Sequence, residues 1–132
     1  MPTRGYALID SETNKIFIDL VSLWAPRAFA IKTLAYTLVA TDDIILADPT
    51  SGAFNITLPS AIGLVGKTYT IKCVSLSHNT VNIVTSLSQT IFIVVIVSSL
   101  LLKVGNSVTV VSDGNNWVAI SFWPLTSNRD ED

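Results

Sequence analysis

The chain has 132 residues, of which 49% are hydrophobic and only 14% charged, with a net charge of −2 and a mean hydropathy of +0.54. That length fits one domain with a short appendage, and so apolar a chain is not intrinsically disordered. Setting aside Arg129 and the terminal acids Asp130, Glu131 and Asp132, residues 1–128 carry seven charges of each sign, which excludes the clustered basic face of a nucleic-acid binder.

One cysteine, Cys73, allows no intrachain disulfide and leaves zinc without its usual ligand set. A compact monomer of this mass exposes roughly 6,800 Å². Between Ile44 and Asn128 the only charges are Asp48, Lys67, Lys72, Lys103 and Asp113. So thin a coat of charge predicts that a neighbouring subunit covers part of the surface. Lipid is the weaker explanation. The most apolar window, Ile91–Leu102, is shorter than the ~20 residues a spanning helix needs, and its early β-branched residues favour a pleated surface. No apolar stretch follows Met1–Gly5, so neither a signal peptide nor a membrane span is expected.

Val, Ile and Thr number fourteen each, and no window carries a sustained helical stripe with caps. The one weak helix candidate, Leu20–Leu34, has Pro26 in its middle. The pattern is therefore all-β. Tyr6–Asp10 and Lys15–Leu20 flank a polar turn and predict a hairpin that must pack on something else. The connector to Ala30 holds Trp24, Arg27 and Phe29, which either form a contact surface or fold back on the sheet.

Strands follow at Tyr36–Ala40, Ile44–Ala47, Phe54–Leu58, Thr68–Val74 and Thr80–Thr85. Asp48–Gly52 is a turn built on Pro49 and the Asp48 side chain. Clean alternation puts Phe54, Ile56 and Leu58 on one face, and Tyr69, Ile71 and Cys73 on one face opposite Lys72. Gln89–Val97 does not alternate and reads as a strand buried on both sides. Ser98 and Ser99 bend the chain before Leu100–Lys103. Ser107–Ser112 and Asn116–Phe122 flank Asp113-Gly114-Asn115, a strong hairpin signal.

Candidate chemistry is sparse. His78 is the sole histidine and sits in a polar turn, without a nucleophile and orienting group at recognisable spacing. Asp42, Asp43, Asp48 and Asp113 all fall at turns, where carboxylates cap backbone amides, and their spacing matches no calcium loop. No phosphate-binding glycine motif occurs. Cys73 is expected in the core. Trp117 is expected as a core aromatic, with a sugar-stacking platform as the alternative. No enzyme activity and no cofactor are expected.

Several segments occur together in a telling order: Asp48-x-Thr-Ser-Gly-Ala-Phe-x-Ile-Thr-Leu-Pro-Ser-Ala61, Gly66–Lys72, Asn79–Ile83 and Ser107–Trp117. This pattern, over about Tyr36–Ile120, resembles the β-domains of tail fibres, short fibres and head-decoration proteins of tailed bacteriophages. The chain departs from it at Ile91–Val97, where a glycine-containing turn is more usual. The resemblance implies a non-enzymatic, homotrimeric protein of the virion surface. It implies a compact antiparallel β-sandwich or β-prism-like domain over 31–123, an N-terminal anchoring arm with a hairpin over 1–30, and a charged tail over 124–132. A trimer closing on its axis would bury Ile91, Ile93, Val95 and Val97 with Leu101. Tyr6, Phe17, Trp24, Arg27 and Phe29 are then the expected attachment residues to other virion proteins of capsid or tail. The alternative is a glycan-binding receptor-recognition module, with a host surface glycan as its partner.

Overall fold

The computed structural model describes residues 27–124. These form two sheets, with no helix among the described residues. In chain order the strands are β1 (Phe29–Lys32), β2 (Tyr36–Thr37), β3 (Ile44–Ala47), β4 (Phe54–Thr57), β5 (Thr68–Cys73) and β6 (Val81–Val84). They continue with β7 (Ile91–Phe92), β8 (Ile96–Val97), β9 (Ser99–Leu102), β10 (Ser107–Ser112) and β11 (Trp117–Trp123). The larger sheet runs β1-β3-β5-β10-β11-β7-β8 and the smaller β2-β4-β6-β9.

The expected all-β class holds, but the expectation of an antiparallel arrangement does not. From β1 to β6 the chain changes sheet after every strand, so each strand returns parallel to its predecessor in the same sheet. Three coils therefore stack like a short solenoid, and β7 also runs parallel to β11. Antiparallel pairing is confined to β10 with β5 and β11, β6 with β9, and β7 with β8. Alternation in a sequence reports which face of a strand is buried. It carries no information on which partner lies alongside, because both ladder types share the two-residue period.

The core lies between the sheets and is built from stacked apolar rungs. Ile45 lies beside Ile71, and Ile71 beside Val108. In the smaller sheet Ile56 lies beside Ile83, and Ile83 beside Leu100. All but Leu100 are fully buried, each worth about 1.5–3 kcal/mol of transfer free energy. The anticipated faces of β4 and β5 are reproduced, since Ile56, Leu58, Tyr69, Ile71 and Cys73 all point inward, and Val81 and Ile83 of β6 do the same. Tyr36–Ala40 shortens to two strand residues before a corner held by Asp42. Within the weak helix candidate, Phe29–Lys32 is a strand, and residues 20–26 lie outside the described residues.

Gln89–Val97 is corrected too. It is a tight hairpin, in which Ile91 pairs with Val97 and Phe92 with Ile96, and only the inward side is buried. Ser98 then carries the chain from the larger sheet to the smaller one. An uninterrupted apolar run cannot by itself distinguish a strand buried on two faces from a hairpin whose outer face is bare.

The turn entering this hairpin is strained. Leu87 and Ser88 hold φ of 55° and 60°, and the Gln89 amide donates to the Ser86 carbonyl at 2.9 Å. Two left-handed residues in succession make a turn that glycine or asparagine would normally occupy. The geometry is held because it seats Gln89 in the interior. Its Oε1 accepts from the Ala61 amide at 2.9 Å and its Nε2 donates to Ser60 Oγ at 3.1 Å. Ser86 Oγ donates to the Leu58 carbonyl at 2.6 Å. Ser88→Gly is expected to stabilise the fold by about 1 kcal/mol, read as a higher urea midpoint at fixed protein concentration. An unchanged or lower midpoint would show that the turn is unstrained.

Candidate functional site

The β7–β8 hairpin carries a conspicuous cluster of exposed apolar side chains. At its tip Val94 is 74% exposed, Val95 61% and Ile96 67%, with Phe92 at 47%. Ile93 and Val97 are half-buried and pack against the core. Leu101, on the outer side of β9, is also exposed. Of the five residues expected at a subunit interface, Ile91 is removed. It is fully buried within its own chain, in register with Trp117 and Val97. Phe92 and Ile96 are exposed instead, because the hairpin strands turn every second residue outward. The signal that could have identified them is the same apolar run, read as a hairpin.

Arg27 and Phe29, expected as attachment residues, lie at the start of the domain. Phe29 opens edge strand β1 and is exposed. Arg27 is drawn back onto the sheet, where Nη2 donates to Thr68 Oγ1 at 3.2 Å and lies 3.8 Å from Asp43 Oδ1. Tyr6, Phe17 and Trp24 lie outside the described residues, as do the expected N-terminal hairpin and most of the charged tail. Trp123 closes β11 opposite Ser107.

The carboxylates act as fasteners. Asp43 Oδ2 accepts the Ala28 amide at 2.7 Å and Oδ1 accepts Lys67 Nζ at 2.8 Å. Asp42 Oδ2 accepts the Tyr36 hydroxyl at 2.8 Å and the Val39 amide at 2.9 Å. Asp48 caps Thr50, and Asp113 Oδ1 accepts the Asn115 and Asn116 amides at 2.8 Å each. No group of three or more His, Cys, Asp or Glu side chains suited to a metal occurs among the described residues.

The hydrogen bond from Lys67, then that from the Ala28 amide, holds the Asp43 carboxyl below its ordinary value of 3.8. A carboxyl depressed on folding contributes stability that is full above its unfolded value and is lost as pH falls through the folded value. The start of β1 is therefore expected to loosen in acid, from about pH 4 downward. Hydrogen exchange of the Ala28 and Ile44 amides would measure it, and Asp43→Asn should flatten that acid dependence. Protection of these amides relative to their intrinsic exchange rates that stays constant through the acid range in the parent chain would refute the assignment.

The remaining candidates are structural. Cys73 is buried and desolvation pushes its thiol up, which disfavours the reactive thiolate. His78 is exposed in the turn between β5 and β6. Trp117 is fully buried, its Nε1 donating to the Pro59 carbonyl at 3.1 Å and its ring 5.5 Å from that of Tyr69. The core reading of Trp117 therefore stands and the sugar-stacking platform is removed. Burial also pushes the Tyr69 hydroxyl up to about 12. A shallow groove of about 490 Å³ lies between the Asp48 turn, the end of β5 and Val104. No helix among the described residues is long and apolar enough to cross a membrane. A comparison with models of known protein families and a search of curated proteins both find no match.

Proposed function

We propose that this protein is a non-enzymatic structural component of a tailed-bacteriophage virion. It serves as a short homotrimeric fibre or a capsid-decoration protein, attached to other virion proteins through its N-terminal segment. The observation that carries the reading is the bare apolar hairpin tip, Val94–Ile96, on a chain with so few charges. Exposed apolar patches of this kind mark surfaces that other protein covers.

The segments that resemble phage β-domains also fall on coherent elements. Asp48–Ala61 spans a turn and β4, Gly66–Lys72 is most of β5, Asn79–Ile83 leads into β6, and Ser107–Trp117 is the closing hairpin. Function in this reading is mechanical. Two sheets joined by repeated chain crossovers present a resistant body, and the chain before Arg27 joins it to the particle.

Light scattering coupled to gel filtration is expected to return three times the chain mass of 14.2 kDa. The purified full chain should co-sediment with virions, and removal of residues 1–26 should leave the trimer intact while abolishing co-sedimentation. A monomer at micromolar concentration would overturn the assembly, and particle binding by the truncated chain would overturn the attachment.

A further inference from the structure

The strand register aligns three rows of side chains on the outer face of the larger sheet. One row crosses Thr68, Val111, Val118, Phe92 and Ile96. The next crosses Phe29, Ile44, Thr70, Thr109 and Ser121. The third crosses Ile31, Leu46, Lys72, Ser107 and Trp123. Every one of these side chains keeps some exposure. Lys72 is the sole ionisable group among them, and its Nζ is turned aside to donate to the Gly105 carbonyl at 3.0 Å.

We infer that this face is where copies of the chain meet, its occupants being the inward-turned faces of the other two copies of the trimer. The inference rests on the self-assembly proposed above and extends its surface from the hairpin to the whole sheet. At about 3.3 Å per residue and 4.8 Å per strand the face spans roughly 500 Å². Three such faces together remove roughly 1,500 Å² from water, within the range of specific interfaces.

The chemistry matches a copy better than a different partner. Hydroxyls both donate and accept. The central row, where Thr70 Oγ1 and Thr109 Oγ1 lie 2.9 Å apart, can therefore satisfy its own image. The rows themselves hold one ionisable group, Lys72, and at the Thr68 end of the face Arg27 and Lys67 are answered by Asp43 within the chain, which leaves little charge to recruit an acidic or basic protein. Phe92 and Ile96 belong both to this face and to the hairpin, so the two surfaces are continuous.

Thr109 lies at the centre of the face and points outward. In the full-length chain Thr109→Lys is expected to convert the oligomer to monomer in light scattering, with an unchanged far-ultraviolet spectrum. As a second readout, Thr109→Cys should react with a maleimide at least tenfold more slowly in the oligomer than after dilution to monomer. Cys73 is buried and adds little background. If the Thr109→Lys oligomer persists, or the Thr109→Cys thiol reacts at one rate at every concentration, the face is not the contact, while self-assembly stands. Protection at every dilution would mean that the chain covers the face itself, which also overturns the inference. A parent chain that is monomeric throughout removes both readings.

Discussion

Trp117→Ala is expected to lower stability by about 3–5 kcal/mol, the range for emptying a large aromatic site in a core. The ring is fully buried, packs at a tilt against Tyr69, and ties β11 to the loop after β4 through the Pro59 carbonyl. The substitution removes the packing and leaves that carbonyl without its donor. Trp117→Phe keeps much of the volume and is expected to cost about 1–3 kcal/mol, chiefly through the unpaired carbonyl. Urea titration at fixed protein concentration measures both, because assembly adds its own concentration-dependent stability. A loss below about 1 kcal/mol for the alanine variant would contradict the buried ring. A loss of glycan binding on this substitution would report a damaged fold and not a missing sugar platform.

Ile83→Ala is expected to cost about 2–5 kcal/mol. Ile83 is fully buried in the centre of the smaller sheet, flanked in register by Ile56 on the parallel strand and Leu100 on the antiparallel one. The surrounding side chains are fixed to three strands and cannot collapse freely into the void, so the loss belongs in the upper half of that range. Ile83→Val removes one methylene and should cost about 0.5–1.5 kcal/mol. Comparable losses for a change at Ile62, which is 64% exposed, would show that burial is not the source of the effect.

Much of the fold was legible before any coordinates. The expected Ile44–Ala47 and Ser107–Ser112 match β3 and β10 residue for residue, and β4, β5, β6 and β11 fall within the expected segments to a residue or so at each end. These strands have one buried and one partly open face, so the solvent boundary writes a two-residue period directly into the chain. The Asp113-Gly114-Asn115 turn was equally readable, since Gly114 supplies a φ of 98° and Asp113 caps the following amides.

The Ile91–Val97 segment was not readable in the same way. Both its inner and outer positions are apolar, so no period separates the buried Ile91 from the exposed Val95. Its entry turn also lacks a turn signature, because Leu87 and Ser88 hold left-handed geometry through the tertiary anchoring of Gln89 and Ser86. The expectation that Ile91 faces outward was accordingly wrong by one face, while Val95 and Leu101 are exposed as that expectation requires. Arg27 could be named as a contact residue, but its tether to Asp43 and Thr68 joins positions far apart in the chain.

By itself, the amino-acid sequence determined that this is an all-β chain with inward faces at β4 and β5, a buried Cys73 and too little charge to clothe its surface. Those properties follow from side-chain polarity and turn chemistry, which are local. Only the tertiary structure decided that the first six strands wind between two sheets in parallel, that Trp117 is sealed inside, and that Phe92 and Ile96 face outward. Strand partnership depends on where the chain crosses between layers, and many crossings satisfy the same local pattern until the whole core is packed.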